Sequence, residues 1–252
     1  MQAFDLSGRK AFVTGASRGI GRAIALAYAE AGADVVLVAR SPETLAAVAK
    51  EVEALGRVAH VIPCDLSDRD AAAAAVRQAL TAFGHLDIVV NNAGGSNFIV
   101  PFKDLRLSGW DKIMKLNLDS AMAVCHAVAP HLLERGSGSV INVASVAAQG
   151  APFMAPYAAA KAGVVALTKT LALEWAASGV RVNALCPGWT ATDLNSSLRA
   201  DENAGRAMVA NVPMARWGTP EEMAGPAVFL AASASSYLTG QVLFVDGGLT
   251  TT

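Results

Sequence analysis

Short runs rich in Val, Ile, Leu and Phe alternate with longer Ala-rich runs from about residue 10 to residue 245. This alternation constrains the fold more than any other feature of the chain. It predicts strands at 10–14, 34–39, 58–64, 87–91, 139–144, 180–186 and 241–245. It predicts helices at 19–31, 43–55, 70–83, 157–177 and 220–231, with a long helical region running to about residue 135. Strands and helices in alternation imply parallel strands joined by right-handed helical crossovers. The strand runs are almost continuously apolar, as in a sheet covered on both faces. With 252 residues, 53% hydrophobic and 16% charged, the chain is long and apolar enough for one sizeable core. The expectation is an α/β domain with a central parallel sheet flanked by helices. No Pro/Ser-rich linker divides residues 1–252, so they are read as one domain. Residues 193–217 break the rhythm. They are irregular and polar in patches, with Leu194, Leu198, Met208, Val209 and Met214 interspersed. A long insertion of that kind is read as a substrate lid.

Thr14-Gly15-x-x-x-Gly19-x-Gly21 follows the first predicted strand and opens the first predicted helix. Glycines there permit a tight turn and close approach of backbone, and a helix N-terminus attracts a pyrophosphate. The turn offers Gly15, Ser17, Arg18, Gly19, Ile20 and Gly21 as dinucleotide contacts. The second strand ends Val38-Ala39-Arg40-Ser41, without the acid that bonds a ribose 2′-hydroxyl; Asp34 is at the opposite end. Arg40 and Ser41, with Arg18, suit a 2′-phosphate instead, which favours NADP(H). Asp65-Leu66 ends the third strand, where Asp65 is placed to bond an adenine amino group. Asn91-Asn92-Ala93-Gly94 ends the fourth, and its small residues let backbone approach the cofactor; Asn91, Ala93 and Gly94 are the candidates.

Tyr157-Ala-Ala-Ala-Lys161 lies twelve residues after Ser145. A spacing of four puts the phenol and the ammonium on one helical face. A cation there favours phenolate, so the Tyr157 pKa is expected to fall towards the working range of a proton donor. Ser145 would hold a carbonyl oxygen beside that phenol. Tyr28 and Tyr237 have no Lys four residues on. A nucleotide site together with a tuned phenol suggests hydride transfer to a carbonyl.

Other features narrow the partners. The formal net charge is −1 and no basic stripe is visible, which argues against nucleic acid. Cys64, Cys125 and Cys186 are far apart in apolar runs and read as buried free thiols in a reducing compartment. No Cys-x-x-Cys or His-x-x-x-His spacing supports a metal. His60, His85, His126 and His131 fit no catalytic pattern. No uncharged apolar stretch reaches about 18 residues, and the N-terminus lacks a basic region followed by an apolar one, so neither a membrane span nor a signal peptide is expected. A cytoplasmic protein is the expectation.

Thr14-Gly-x-x-x-Gly-x-Gly21, Asp65, Asn91-Asn-Ala-Gly94, Asn117, Ser145, Tyr157-x-x-x-Lys161 and Pro187-Gly188 occur in this order over essentially the whole chain. In that set the sequence resembles the short-chain dehydrogenase/reductase family, in particular members of the 3-oxoacyl-carrier-protein reductase and carbonyl reductase type. The resemblance implies a single doubly wound Rossmann-type domain and an NADPH-dependent ketoreductase. Tyr157 would be the acid/base, Lys161 would lower its pKa and bond the nicotinamide ribose, and Ser145 would position the carbonyl. Asn117 would hold a water in a proton relay. Pro187, Gly188, Thr190 and Thr192 would meet the nicotinamide amide. The resemblance also implies a homotetramer acting on a small-molecule ketone or alcohol. The chain departs from the family pattern in a Ser145-to-Tyr157 interval one residue shorter than usual and in a large Trp189. Gly95, Ser96, Asn97 and Gln149 are further candidates for the pocket wall. A catalytically silent nucleotide sensor or scaffold is the alternative, although such a protein needs no intact Asn117, Ser145, Tyr157 and Lys161. A 3-oxoacyl thioester, a sugar-derived ketone, a steroid-like ketone and a xenobiotic carbonyl all remain open as substrates.

Overall fold

Apolar side chains on both faces of each strand demand a helical layer on either side of the sheet. The computed structural model, described for residues 2–96 and 99–251, has that arrangement. Strands β1 (Lys10–Thr14), β2 (Asp34–Ala39), β3 (Ala59–Pro63), β4 (Ile88–Asn91), β5 (Gly138–Val143), β6 (Val180–Pro187) and β7 (Val242–Val245) form one sheet in the order β3-β2-β1-β4-β5-β6-β7. Every neighbouring pair is parallel. Val13, Val35, Leu37, Val90 and Ile141 face one side. There they pack with Ile24 and Tyr28 of α1 (Gly19–Glu30), Val48 of α2 (Pro42–Ala54) and Leu230 of α9 (Pro220–Ala231). Phe12, Val36, Val38, Val89 and Val140 face the other. Their partners include Val76 of α3 (Arg69–Phe83), Val124 and Leu132 of α5 (Ser120–Arg135), and Trp175 of α6 (Ala155–Trp175). The period of two along each strand thus divides one apolar run between two cores.

Local chemistry sets the helix limits. Asp68 caps α3 by accepting hydrogen bonds from the amides of Asp70 and Ala71, and Gly84 follows the last turn at φ 75°. Thr219 and Glu222 form a reciprocal capping box at the start of α9, followed by Pro220. Two expectations are corrected. The long helical region is α4 (Leu107–Met114) joined to α5 by a π-helical turn, Lys115–Asp119. An alanine-rich periodicity does not reveal one extra residue per turn. The irregular segment also folds into helix: α7 (Ser196–Ala200) and α8 (Glu202–Val209), the latter capped by Asp201. Its far end is anchored, because the Gly218 amide donates to the Trp189 carbonyl at 2.9 Å and the Met214 amide to the Gly247 carbonyl at 3.1 Å; within the segment, the Trp217 indole N–H donates to the Gly205 carbonyl at 3.1 Å. Among the described residues no helix is long and apolar enough to cross a membrane.

Strand order reverses direction between β1 and β4, the first strands of the two halves. Loops leaving their C-terminal ends diverge, which opens a crevice where ligands bind in sheets of this type.

Candidate active site

A cavity of about 520 Å³ occupies that crevice. It runs from Arg40 and Asp65 past the glycine-rich turn to Ser145, Tyr157 and Leu194. The turn is held close by geometry that only glycine satisfies. A Cβ on Gly21 would come within 2.2 Å of the Gly15 carbonyl oxygen and 2.4 Å of Asn92 Nδ2. Asn92 in turn donates from Nδ2 to the carbonyls of Thr14 and Gly15, at 3.0 and 3.3 Å. Backbone therefore lies bare along this wall at the start of α1, which fits a pyrophosphate. Arg18 and Arg40 are exposed at the same end, and among the described residues neither forms an ion pair. Asp34 sits at the other end of β2, bound to Lys10 and to the Val58 amide. Asp65 accepts hydrogen bonds from the amide and hydroxyl of Ser67, and these hold its carboxyl below the usual range. These residues suit a dinucleotide that carries a 2′-phosphate.

At the other end, Ser145 stands just past the end of β5, and Tyr157 and Lys161 lie in the first turns of α6. The Ser145 hydroxyl, which accepts from the Ala147 amide at 3.1 Å, stands near enough to Tyr157 to favour its phenolate. Lys161 is only 3% exposed, and its Nζ donates to the Val143 carbonyl at 2.8 Å. That nitrogen is 5.7 Å from the centre of the Tyr157 ring. Burial lowers the Lys161 pKa to about 8. Burial also raises the Tyr157 pKa above its ordinary value of 10, outweighing the Ser145 hydroxyl, which pulls it down. The predicted fall in the Tyr157 pKa is thus corrected. The helical spacing brings the cation close, but desolvation of the half-buried phenol and of the buried ammonium disfavours charge on both. Burial similarly pushes the neighbouring Cys186 thiol up to about 11.

Most predicted positions line the cavity: Gly15, Ser17, Arg18, Gly19, Ile20, Arg40, Ser41, Asp65, Leu66, Ala93, Gly94, Ser145, Tyr157, Lys161, Pro187, Gly188, Thr190 and Thr192. Three do not. Gly21 packs beneath the turn, and Asn91 is turned into the sheet, where Nδ2 donates to Asn142 Oδ1 at 2.8 Å. Asn117, on the π-helical turn, is 1% exposed. Its Oδ1 accepts from the Gly95 amide at 2.8 Å while Nδ2 donates to the carbonyls of Gly95 and Ile113, both at 3.0 Å. The amide therefore clamps protein backbone at both its atoms. A Cβ on Gly94 would come within 2.6 Å of Asn117 Oδ1 and 3.1 Å of Lys161 Nζ, so this loop, the clamp and the lysine are packed together. Of the proposed wall residues, Gly95 and Trp189 line the cavity and Gln149 does not; Asn97 lies outside the described residues. Leu194, named in the expected lid, lines it, and so do Asn92, Asp193 and Asn195, which the motifs do not single out. Asn92 was within reach of sequence reasoning, since it is the second of two adjacent amides at a strand end. Asp193 and Asn195 follow only from the fold of the inserted segment.

A family model described as enoyl-(acyl carrier protein) reductase matches residues 15–250. Gluconate 5-dehydrogenase of Gluconobacter oxydans is 42% identical over 248 residues, 98% of this chain and 96% of that protein. The 3-oxoacyl-acyl-carrier-protein reductase FabG of Thermotoga maritima is 38% identical over 247 residues, 97% and 98% of the two chains. The crystal structure of a gluconate 5-dehydrogenase from Burkholderia cenocepacia in complex with NADP and tartrate superposes with a TM-score of 0.94 at 39% identity, covering 100% of this chain and 98% of that one. The chain belongs to the short-chain dehydrogenase/reductase family, and it is an oxidoreductase of that family.

The raised Tyr157 pKa is directly measurable. Phenolate difference spectra of the cofactor-free protein and its Tyr157→Phe variant should show Tyr157 less than half ionised at pH 10, the ordinary phenol value. Extra phenolate absorbance in the wild type near pH 7 would contradict the burial argument.

Proposed function

We propose that this chain is an NADPH-dependent ketoreductase that interconverts a ketone and a secondary alcohol. The observation that carries this reading is that Ser145 and Tyr157 line one dinucleotide-sized cavity together, beside a buried lysine. Two hydroxyls in one cavity suit a carbonyl oxygen, which accepts two hydrogen bonds. Held along the cavity by the glycine-rich turn, NADPH would supply the hydride for the carbonyl carbon. Tyr157 gives its proton to the oxygen as negative charge develops there, and Ser145 holds that oxygen in place. A raised pKa keeps Tyr157 protonated through neutral pH, ready for reduction. Lys161, its ammonium fixed on the Val143 carbonyl, bonds the nicotinamide ribose and steadies the phenolate left behind. Asn117 acts as a positioning residue by clamping Gly95. Pro187, Gly188, Thr190 and Thr192 face the nicotinamide, and Arg18 and Arg40 take the 2′-phosphate. NADP in the Burkholderia cenocepacia structure supports the cofactor choice. A silent scaffold has no use for two such hydroxyls beside a buried lysine.

Residues 193–217, within one domain, are read as a lid. Leu194 packs on Gly95, and the Met214 amide, bonded to the Gly247 carbonyl, confines movement to the part before it. Closure should exclude water from the reacting carbon. Hydrogen exchange at 193–211 should slow when NADPH and substrate bind; equal protection with and without them would remove the lid. A homotetramer is proposed from the exposed apolar side chains Phe102, Leu107 and Leu173 on or beside α4 and α6, at 71%, 79% and 85% exposure. Light scattering at micromolar concentration should give the tetramer mass, and a monomer would end that proposal.

Two variants separate chemistry from binding. Tyr157→Phe should lower kcat by roughly 10²-fold or more while NADPH still binds. Turnover like that of the wild type would rule out the mechanism. Arg40→Asp should weaken NADPH binding relative to NADH, because it replaces a charge-assisted bond with repulsion. An unchanged NADPH affinity would take Arg40 out of the 2′-phosphate site.

A further inference from the structure

The relatives' names include gluconate, a polyhydroxy carboxylate, and the reacting end of this cavity lacks the chemistry to hold one. The cavity's cationic side chains are Arg18, Arg40 and Lys161. The two arginines stand at the far end with Asp65, and the Lys161 ammonium is buried and committed to the Val143 carbonyl. Beyond the predicted positions, the lining includes Gly95 from the loop after β4 and Trp189, Asp193 and Leu194 from the stretch after β6. Asp193 carries the same charge as a substrate carboxylate and would repel it. Asn195 also lines the cavity, but it is uncharged and partly engaged: Oδ1 accepts from the Thr192 amide at 3.1 Å and one Nδ2 hydrogen goes to the Thr190 carbonyl at 2.8 Å. Arg199 is the cation nearest in sequence to this wall. It is not part of the cavity surface, and it donates to Asn195 Oδ1 and the Thr192 carbonyl at 3.0 and 3.1 Å. Asn97 and Phe98, outside the described residues, bring no charge by their identity.

What the wall does offer is apolar surface. Trp189 meets Trp217 edge to face, ring centres 5.7 Å apart, and Trp217 is fixed through its bond to Gly205. The Trp189 indole is thus a supported flat wall. Leu194 is 49% exposed on a turn locked by the Thr192–Asn195 capping box.

We infer that the substrate is an uncharged ketone whose flank is hydrocarbon, and that a ketone ending in a carboxylate is rejected. This rests on the carbonyl-reduction reading. An unpaired carboxylate against Trp189, Leu194 and Asp193 gives up hydration without a counter-charge, whereas an alkyl or aryl flank releases water from apolar surface. Leu194 and Trp189 are the specificity-determining side chains.

The test uses 2-octanone and 7-oxooctanoate, which share chain length and carbonyl position and differ in a terminal methyl or carboxylate. Two quantities are read on the full chain: kcat/KM with NADPH, and Kd by calorimetry in the presence of NADP⁺. At least about tenfold preference for 2-octanone is expected in both, the scale on which a pocket rejects a group it leaves unpaired. Leu194→Arg should narrow the ratio severalfold by improving 7-oxooctanoate. Equal or better use of 7-oxooctanoate by the wild type, binding of neither ligand, or an unchanged ratio in Leu194→Arg would overturn the inference. Selective binding of 2-octanone without NADPH oxidation would keep the ligand class and overturn the reduction reading. NADPH oxidation that favours 7-oxooctanoate would do the reverse.

Discussion

The Thr14 hydroxyl holds together the two chain turns on which the cavity depends. It is 2% exposed between β1 and β4, donates to the Val90 carbonyl at 3.1 Å, and accepts from the amides of Asn92 and Ala93 at 2.9 and 3.0 Å. Asn92 returns two hydrogen bonds to the carbonyls of Thr14 and Gly15. The loops after β1 and β4 must diverge, because strand order reverses there, and this reciprocal set fixes how far. It satisfies backbone groups that would otherwise be buried without partners. It also leaves the glycine-rich turn and Gly94 facing the crevice with no side chain in the way. From Gly94 the order passes through Gly95 to Asn117, and Gly94 itself packs against Lys161. One buried threonine thereby links the nucleotide end of the cavity to the reacting end.

At the reacting end, burial decides more than proximity. Lys161 and Tyr157 lie on the same helical face, yet desolvation raises the phenol's pKa and lowers the ammonium's to about 8. A phenol that stays protonated at neutral pH is a proton donor by default. In the alcohol-oxidising direction the same group must first lose its proton, so that direction is favoured as pH rises. The fold thus biases the resting protonation state towards reduction, and charge brought in with a bound cofactor acts on top of that bias.

Much of this was legible in the sequence. β1 and β2 and helix α9 occur at the predicted residues, because a glycine turn, Arg40-Ser41 and Thr219-Pro220 mark their ends unambiguously. The line of cavity residues from Gly15 to Lys161 followed from strand-end motifs, since parallel strands all deliver their C-terminal loops to one edge. Three things were not legible. Asn91 and Asn92 look alike in sequence, and only the pleat of β4 sends the first into the sheet and the second to the turn. The π-helical turn that aims Asn117 at Gly95 leaves no periodic signature over five residues. The burial of Lys161 and the partial desolvation of Tyr157 are tertiary properties, and they reverse the pKa shift that the spacing alone implies.

The central claim is that hydride passes from NADPH to a carbonyl carbon beside the Ser145–Tyr157 pair. The most direct measurement is isotopic. NADPH stereospecifically deuterated at the nicotinamide C4 is incubated with the protein and a ketone, and the alcohol is analysed by mass spectrometry and NMR. The account predicts one deuterium on the carbinol carbon, in a single configuration, from one of the two C4-labelled forms. An alcohol without deuterium from either labelled form, or a racemic product, would contradict it.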